Sequence, residues 1–540
     1  MKLKVWHLFL LSILGGTILG VSFPFTGGLF PLAFIGFVPF LIISYSLNQE
    51  KIKGRIWIRF LCNYLGFILF NAITSWWIYY ASPSGTYMAI LANSMLMTLP
   101  LGLTGFLTRQ LGENKGLLSF LVLWLSFEHI HYYWDLSWPW LNIGHVLGTQ
   151  PKLIQWYEYS GVAGGTFWIL LVNIIVYMLL RNRFLKNETW KIQTPNFIFL
   201  GLALFFPVIS SLFIYFRYEE KVDPVDIVIV QPNVEAHTEK FVIPVSQQLD
   251  KMYKVTEEHV TENTDLVVCP ETAIPWGKNE AELETNTSIL SVKNFIQTHY
   301  EVPWIIGADT YEVFKEKRSA ASQPYGPYWA ENYNTALLIQ ADLPIISYHK
   351  AKLVLGGEKL PFVESLPFLA EYSVELGGTS GLLGVGEEPK VLEAKGVGYA
   401  PLICYESVYG DYVTYFVRKG AEIICVITND GWWRDTPGYK QHRMFSQIRA
   451  IENRRSVARS ANTGISCFID QRGEIISELG WNEYGALHET INRNKEFTVF
   501  TKYGSILGRI ACYLAIAMLL YGLVTRLKKI GFIAEKFVRK

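Results

Sequence analysis

At residues 401–407 the chain reads Pro-Leu-Ile-Cys-Tyr-Glu-Ser, an apolar run that ends in a cysteine and continues with polar residues. The apolar run predicts a buried β-strand, and the polar residues after it favour the start of a helix. A thiol at such a junction feels the positive end of the helix dipole, which favours the thiolate. Cys404 is therefore a candidate nucleophile, although an isolated cysteine at a strand end is more often a core residue.

Similar short β-branched runs lie on both sides of this segment and alternate with helical patterns. The predicted strands are 226–230, 265–269, 304–308, 335–339, 399–404, 422–428 and 464–469, and the predicted helices are 244–261, 288–298 and 438–456. Nearly continuous apolar strands are typical of sheets that are covered on both faces. The pattern predicts a layered α/β domain over residues 217–503.

Two other motifs place polar groups at predicted strand ends, where α/β sheets usually assemble their chemistry. Val267-Val268-Cys269-Pro270-Glu271-Thr272 puts a carboxylate directly after a buried strand, where partial burial favours a general base. Tyr348-His349-Lys350 offers an ammonium group for an oxyanion, with Glu358 eight residues after Lys350. Taken singly, a surface glutamate in a turn and a solvated lysine face are the commoner interpretations.

Outside this domain the sequence indicates membrane helices. Half of the 540 residues are hydrophobic, which is too apolar for an ordinary soluble enzyme of this length. Eight apolar stretches approach the roughly 20 residues that span a bilayer: 5–21, 29–45, 60–80, 87–107, 117–133, 162–180, 197–216 and 506–524. The stretch at 117–133 is the weakest, because Glu128, His129 and His131 crowd its end; the alternative is a shorter, partly re-entrant element.

Basic residues predict the orientation of these helices. They cluster before the first stretch, in every second connection and in the tail after the last stretch, as the positive-inside rule requires. Both termini are therefore expected in the cytoplasm. The expected division is a seven-helix transmembrane bundle over 1–216, a domain on the periplasmic side over 217–503, and an eighth helix with a basic cytoplasmic tail over 504–540. A net charge of +1 gives no indication of a nucleic-acid partner.

In chain order, Pro270-Glu271, Tyr348-His349-Lys350 and Cys404-Tyr405-Glu406 resemble the Glu-Lys-Cys triad of the nitrilase, or carbon-nitrogen hydrolase, superfamily. The resemblance implies an α-β-β-α sandwich. It also implies that Glu271 is the general base, that Lys350 stabilises the transition state and that Cys404 is the nucleophile. Lys352 is then a bystander, because the lysine of the superfamily stands two residues after the tyrosine.

Soluble members of the superfamily lack eight spans. The combination of a helical bundle, a nitrilase-like insert and a last helix resembles the apolipoprotein N-acyltransferase family over essentially the whole chain. Further matches are Trp138-Pro139-Trp140-Leu141, Gln231-Pro232-Asn233 and Asn429-Asp430-Gly431-Trp432-Trp433. The resemblance implies that Glu358 and Glu406 support the triad and that Tyr405 flanks the nucleophile.

Some segments depart from this family. Val354-Leu355-Gly356-Gly357-Glu358 and Asp430-Gly431-Trp432-Trp433 differ from the usual forms, and the arm after the first strand has Phe241 where a Trp is common. These changes affect the expected lid and the acyl-chain preference. Trp432, Trp433 and Phe241 are candidates for the substrate entry, since tryptophan favours membrane interfaces; core aromatics are the alternative for the two tryptophans.

The family resemblance implies a two-step transfer. A fatty acyl chain moves from a phospholipid, with phosphatidylethanolamine as the expected donor, to Cys404 as a thioester, and then to the amino terminus of a diacylated apolipoprotein. No metal, other cofactor or nucleic acid is expected, and the protein is expected to be a monomer in the bacterial inner membrane. The alternative is a membrane-tethered amidase or nitrilase. A transporter is disfavoured because the spans show no inverted repeat and few internal charges.

Overall fold

The computed structural model describes residues 3–49, 54–366, 368, 375–376, 379–380 and 382–538. Its helices are α1 Val5–Ser22, α2 Ala33–Gly36, α3 Val38–Gln49, α4 Arg55–Ser75, α5 Pro83–Leu111, α6 Glu113–Ile130, α7 Tyr157–Ser160, α8 Val162–Leu180, α9 Thr194–Arg217, α10 Val245–Glu257, α11 Thr287–Thr298, α12 Gly410–Arg418, α13 Pro437–Asn453, α14 Val499–Tyr503 and α15 Ile506–Val538.

In this described part of the chain, seven helical segments are long and apolar enough to cross a membrane. They are Val5–Ser22, Phe30–Gln49, Arg55–Tyr80, Pro83–Leu111, Val162–Leu185, Trp190–Arg217 and Ile506–Gly531. Each matches one of the predicted stretches. They pack side by side: α1 contacts α4, α5 contacts α4 and α6, and α15 contacts α5 and α6. The several apolar helices expected from the sequence are thus present.

The eighth predicted stretch, 117–133, lies in α6 and is not among these segments. The 18 residues of α6 include Glu113, Lys115 and Glu128, and the helix ends at Ile130. Glu128 is buried and accepts three hydrogen bonds, from Trp124 Nε1 at 2.9 Å, from the backbone N–H of residue 143 at 2.8 Å and from the hydroxyl of residue 166 at 2.6 Å. The protein thus supplies partners for a carboxylate at the end of α6, and the count of eight spans is not confirmed.

The described strands form two large sheets and a separate two-stranded sheet of residues 375–376 and 379–380. They are β1 Pro224–Gln231, β2 Leu266–Val268, β3 Ile274–Asn279, β4 Trp304–Phe314, β5 Gln323–Tyr325, β6 Tyr328–Ile339, β7 Ile346–His349, β8 Glu375–Leu376, β9 Thr379–Ser380, β10 Leu392–Ala394, β11 Val397–Ile403, β12 Ile423–Thr428, β13 Val457–Ala461, β14 Ser466–Ile469, β15 Ile475–Leu479 and β16 Gly485–Asn492. The first sheet has the order β16-β1-β2-β4-β6-β5, with β3 beside β4 and β7 beside β6. The second has the order β10-β11-β12-β13-β14-β15.

The two sheets pack face to face between helical layers. Along β1, Ile227 and Ile229 belong to the core shared with the second sheet, whereas Val228 and Val230 pack with α10 and α11. This alternation follows from the two-residue period of a strand, which sends successive side chains to opposite faces. The predicted α-β-β-α sandwich is confirmed. The predicted strand at 399–404 ends one residue early, so Cys404 lies outside β11.

The outer layer of the second sheet also contacts the helical bundle. On α13, Met444 and Phe445 belong to the same apolar cluster as residues of α1, α6 and α8. Two buried hydrogen bonds also join α13 to the bundle. Gln441 accepts one from Trp140 Nε1 at 2.8 Å, and Glu452 accepts one from the backbone N–H of Val162, the first residue of α8, at 3.1 Å. The sandwich therefore docks on the bundle through a continuous core.

Candidate active site

Cys404 occupies a strained turn directly after β11. It is the first residue of a short 3₁₀ turn, Cys404–Val408, and its φ of +50° lies in the left-handed region. Such a conformation costs a non-glycine residue about 1–3 kcal/mol and persists only when the surroundings fix it. Two side chains do so here: Ser407 Oγ donates to the Cys404 carbonyl at 2.8 Å, and His442 Nε2 lies 3.0 Å from the same oxygen.

Glu271 follows β2 and is buried with both carboxylate oxygens engaged. Its Oε1 accepts from Asn334 Nδ2 at 2.7 Å and from Lys350 Nζ at 3.1 Å, and its Oε2 accepts from the backbone N–H of Asn429 at 2.9 Å. Burial acts to raise the pKa of this carboxyl, but the Lys350 ammonium and the hydrogen bond from Asn334 outweigh it and hold the pKa below its usual range. Glu271 is thus ionised and oriented.

Lys350 comes directly after β7, and its ammonium lies between two carboxylates. Nζ donates to Glu271 Oε1 at 3.1 Å and to Glu358 Oε1 at 2.7 Å, and the side chain is 1% exposed. Burial alone would lower the pKa of the ammonium, yet the charges of Glu271 and Glu358 raise it well above its usual value. Asn334 Nδ2 completes the cluster by reaching Glu358 Oε1 at 3.3 Å. Lys350 therefore stays charged.

The thiol of Cys404 lies within the electrostatic reach of this cluster. Burial raises its pKa well above the usual value, the negative charge of Glu271 adds to this increase, and the Lys350 ammonium opposes it. The resting pair is consequently a neutral thiol beside an ionised carboxylate. A thiolate forms only when a base accepts the proton, and Glu271 is the ionised carboxylate whose charge acts on the thiol most strongly.

Glu406 joins the turn after Cys404 to the segment that carries Lys350. One carboxylate oxygen accepts from Tyr348 Oη at 2.6 Å and from the backbone N–H of Ala351 at 2.8 Å. The other accepts from the backbone N–H of Ile403 at 2.9 Å. Burial raises the pKa of Glu406 to about 7. Lys352 points elsewhere, with Nζ 5.1 Å from the centre of the Tyr412 ring.

A buried ion network that was not predicted from the sequence supports the nucleophile turn from behind. Asp430 Oδ1 lies 2.8 Å from His442 Nδ1, and Asp430 Oδ2 accepts from Arg459 Nη2 at 2.6 Å. The positive charge of Arg459 holds the pKa of Asp430 below its usual value although burial acts to raise it. The only sequence signal was Asp430 in the motif at 429–433. The His442 ring contacts the backbone carbonyl of Cys404, so it holds the turn that carries this cysteine.

Lys240 is a second residue that sequence reasoning missed. It lies in the segment between β1 and α10, it is 2% exposed, and its Nζ donates to the backbone carbonyl of Glu271 at 3.1 Å. Burial lowers the pKa of this ammonium to about 8, against the opposing effect of Asp309 and Glu271. The one available signal was its position next to Phe241, in the arm that the sequence singled out.

An apolar cavity of about 130 Å³ opens on the other side of Cys404. It runs between the nucleophile turn, the Trp-rich segment after α6 and one face of α5. Its lining includes Cys404, Tyr405, Trp433, Trp138 and Trp140, together with Gly85, Met88, Ala89, Ala92 and Leu96 of α5. The Tyr405 ring stacks near those of Trp138 and Trp140, with centroids 6.1 and 6.3 Å apart. Cys404 therefore lines the apolar cavity and also lies near the cluster of buried charges.

The three predicted entry residues divide between two places. Trp433 lines the apolar cavity, and its ring centroid lies 4.8 Å from that of Trp77. Trp432 and Phe241 instead belong to an aromatic cluster on the arm side, where the Phe241 ring lies 5.3 Å from Trp276 and 6.3 Å from Trp432. Glu271, Lys350 and Glu358 form the charged cluster near Cys404, and Tyr405 and Glu406 follow Cys404 in its turn. The roles that the resemblance implies for them stay a prediction.

The chain matches two protein families and is similar to several known proteins. The carbon-nitrogen hydrolase family model matches residues 229–496, and the model of the apolipoprotein N-acyltransferase N-terminal domain matches residues 15–175. The chain is similar to the apolipoprotein N-acyltransferase of Chlorobaculum tepidum, at 28% identity over 94% of this chain and 95% of that protein, and to that of Geobacter metallireducens, at 25% identity over 92% of each. The crystal structure of Saccharomyces cerevisiae Nit3, a member of branch 10 of the nitrilase superfamily, is 16% identical and covers 50% of this chain and 90% of that one, with a TM-score of 0.35.

Proposed function

This chain belongs to the apolipoprotein N-acyltransferase family, and we propose that it moves a fatty acyl chain from a phospholipid to the α-amino group of the N-terminal diacylglyceryl-cysteine of lipoproteins. The protein is an acyltransferase of lipoprotein maturation. One observation carries the assignment of the site: Cys404 lies between a cluster of buried charges and an apolar cavity. Acyl transfer needs both, because a tetrahedral oxyanion requires a fixed cation and an acyl chain requires a dry channel.

The apolar cavity has the shape that a fatty acyl chain requires. Its lining residues on α5 run from Gly85 to Leu96, which corresponds to about 16 Å along a helix that rises 1.5 Å per residue. Small side chains at Gly85, Ala89 and Ala92 leave a groove on this face. A lipid tail enters such a groove without crossing bulk water. The same cavity offers little to a small polar amide, which is the substrate of the alternative assignment.

In the first half-reaction Glu271 accepts the thiol proton of Cys404. The sulfur attacks the ester carbonyl of the phospholipid, and Lys350 donates hydrogen bonds to the oxyanion that forms. The C–S bond is formed in this attack, and the oxyanion then collapses as the ester C–O bond breaks, which leaves the acyl group on Cys404 as a thioester. Glu271 returns its proton to the departing glycerol oxygen, so that a lysophospholipid leaves with a neutral hydroxyl group.

In the second half-reaction the free α-amino group of the lipoprotein attacks the thioester carbonyl. The new C–N bond forms, Glu271 accepts a proton from the amine, and the C–S bond breaks. The proton returns to the sulfur of Cys404, which restores the thiol. Lys350 stabilises the second oxyanion in the same position as the first. The supporting roles of Glu358, Tyr405 and Glu406 are to hold the lysine, to line the acyl channel and to fix the turn of the nucleophile.

The same proposal covers topology and partners. We infer eight spans, with a bundle over 1–216, a periplasmic catalytic domain over 217–503, and a last helix and cytoplasmic tail over 504–540. The enzyme then acts as a monomer in the bacterial inner membrane, with phosphatidylethanolamine as the donor. The contact of the cavity with α5 supports this arrangement, because both lipid substrates reach Cys404 from the bundle side. Trp433 lies on that route, and the cluster of Trp432 and Phe241 covers the arm side.

A transfer assay tests the proposal. Purified protein, phosphatidylethanolamine and a synthetic diacylated lipopeptide are incubated together, and the N-acylated product is measured by mass spectrometry. The expected result is a triacylated lipopeptide with the wild-type protein and a loss of at least 10³-fold with Cys404→Ser. A matched control is Cys425→Ser, since Cys425 is buried in β12, away from the cavity. Hydrolysis of small amides without any lipopeptide acylation would instead support the tethered amidase.

A further inference from the structure

A second cavity lies at the end of the bundle that is far from Cys404. Its volume is about 350 Å³, and it is enclosed by the ends of α3, α4, α5, α6 and α8. Along α5 the distance from Gly85, in the catalytic cavity, to Arg109, in the second cavity, is about 36 Å at 1.5 Å per residue. The second cavity therefore serves no step of the acyl transfer proposed above, and its own lining must be considered separately.

The lining of this cavity has an excess of positive charge. Arg55 and Arg109 line it directly, and Arg59, one turn along α4, is buried behind them. Arg59 donates to Asn48 Oδ1, at the cavity wall, at 2.7 Å. Among the residues that the structure describes, none of the three arginines forms a salt bridge with a carboxylate. Three guanidinium groups in so small a volume repel one another unless an anion joins them.

Glu113, the one carboxylate among the described residues of the lining, is already neutralised. It forms a salt bridge with Arg181 Nη1 and lies 3.5 Å from Lys186 Nζ, and it accepts a hydrogen bond from Tyr177 Oη at 3.3 Å. Arg181 and Lys186 together outweigh the single negative charge of Glu113 beside the cavity. Glu113 is thus tied to the α8 side, and it leaves the arginines of α4 and α5 to a ligand.

Two neutral polar groups of the lining also have no hydrogen-bond partner among the described residues. Thr104 is 3% exposed and lines the cavity, and within the described ranges its Oγ1 has no hydrogen-bond partner. The Nδ2 of Asn48, also in the lining, is buried and equally without a partner there. Buried polar atoms are nearly always paired, by protein, water or a bound molecule. The Asn48 amide nitrogen only donates, and the Thr104 hydroxyl can donate as well as accept. An acceptor with negative charge therefore satisfies both groups together with the arginines.

We propose that this cavity binds the phosphate group of an anionic phospholipid from the leaflet opposite the catalytic domain. A phosphate diester presents several acceptor oxygens, and the planar guanidinium groups of Arg55 and Arg109 match their geometry. The position also fits, because the ends of membrane helices lie at the level of the lipid head groups. Free phosphate shares this chemistry but has no tail to occupy the apolar surface of neighbouring helices. A bound lipid stabilises the folded protein by RT ln(1 + L/Kd), where L is the free lipid concentration, so the stabilisation grows with the logarithm of this concentration above Kd.

The test is a ligand-dependent stability measurement on the full chain in mild detergent. Thermal unfolding is followed during titration with phosphatidylglycerol, with phosphatidylcholine of the same acyl chains, and with inorganic phosphate. We expect phosphatidylglycerol to raise Tm progressively once its concentration exceeds Kd, and phosphatidylcholine to have little effect. In Arg55→Gln/Arg109→Gln the apparent affinity for phosphatidylglycerol should fall by about 10-fold or more, since two charge-assisted contacts are lost. A full effect of inorganic phosphate alone would assign the site to the free anion.

Two further variants decide the outcome. Arg183→Gln removes a positive charge at the same end of the bundle, where Arg183 lies over the Trp190 ring, and it should bind phosphatidylglycerol as the wild type does. Thr104→Leu fills the cavity without changing the charge, and it should lose the response. The proposal is overturned if phosphatidylglycerol acts equally on the wild type, on the double arginine variant and on Thr104→Leu, or if both lipids act alike.

Discussion

The two sides of Cys404 are built in different ways. On one side, Glu271, Lys350 and Glu358 form a closed set of hydrogen bonds inside the sandwich. On the other side, apolar side chains of α5 in the bundle line the apolar cavity. The charged cluster is rigid and suits one distribution of charge in the reacting group. The apolar cavity discriminates between acyl chains only by their length and hydrophobicity. In the proposed mechanism the sandwich performs the chemistry and the bundle selects the acyl chain.

Removal of the base should have the largest effect on this division. In Glu271→Gln the side chain keeps its size but no longer accepts the thiol proton. We expect the rate of acyl transfer to fall by about 10³-fold, within the range that a positioned general base contributes. The measurement is single-turnover acylation of Cys404. Glu239→Gln, on the exposed part of the arm, is the control, and an unchanged rate in Glu271→Gln would exclude this base.

The second largest effect is expected from Glu406, which joins the turn after β11 to the segment after β7. Glu406→Gln replaces an oxygen that accepts backbone hydrogen bonds by an amide group that donates, which leaves a mismatch at Ile403 or at Ala351. We expect a loss of about 1–3 kcal/mol in the free energy of unfolding and a decrease of about 10 to 100-fold in kcat. Chemical denaturation and steady-state kinetics measure the two effects. Wild-type kcat in Glu406→Gln would mean that the turn is fixed by other contacts.

A change on the apolar side should affect only the choice of acyl chain. Ala92→Phe places a large ring in the channel beside α5. Loss of room for two methylene groups costs about 1.6 kcal/mol, or about 15-fold in rate. Donors with long acyl chains should therefore slow by about this factor, and donors with short chains should not. Leu91→Phe, one residue away on the exposed face of α5, is the matched control. Equal slowing of short and long donors would contradict the channel.

The smallest effect is expected from the lysine of the arm. The charge of Lys240 lowers the pKa of Glu271, and the proposed mechanism requires ionised Glu271, so activity should be lost as the pH falls through that pKa. Lys240→Met removes a lowering influence, and the acidic limb of the pH–rate profile should move to higher pH. Lys240→Arg keeps the positive charge, so the acidic limb of its pH–rate profile should lie at the wild-type position. A limb at the wild-type position in Lys240→Met would show that the lysine only holds the arm.

The sequence locates some residues of the charged cluster more readily than others. Glu271, Lys350 and Cys404 each follow a strand end, and strand ends are visible as breaks in apolar runs. Asn334 and Lys240 are not visible in this way, because their partner Glu271 lies far along the chain and a buried amide or lysine has no pattern of its own. Only packing brings them together.

Two further differences have the same origin. Strand β13 was not predicted, since its buried Arg459 breaks the apolar run and is tolerated only because Asp430 neutralises it. The end of α6 was difficult because Glu128 is satisfied by donors from other segments. The apolar cavity depends on how α5 meets the turn of Cys404, and no local pattern specifies that approach. Of the predicted entry residues, only Trp433 lines it.

The most direct test of the two-sided site is the covalent intermediate itself. The full chain is incubated with phosphatidylethanolamine in the absence of acceptor, and the intact protein and its peptides are analysed by mass spectrometry. We expect one acyl group, sensitive to hydroxylamine, on the peptide that contains Cys404, and its disappearance when the diacylated lipopeptide is added, with an equal amount of triacylated product. An acyl group on another residue, or one that remains after the acceptor is added, would contradict the account.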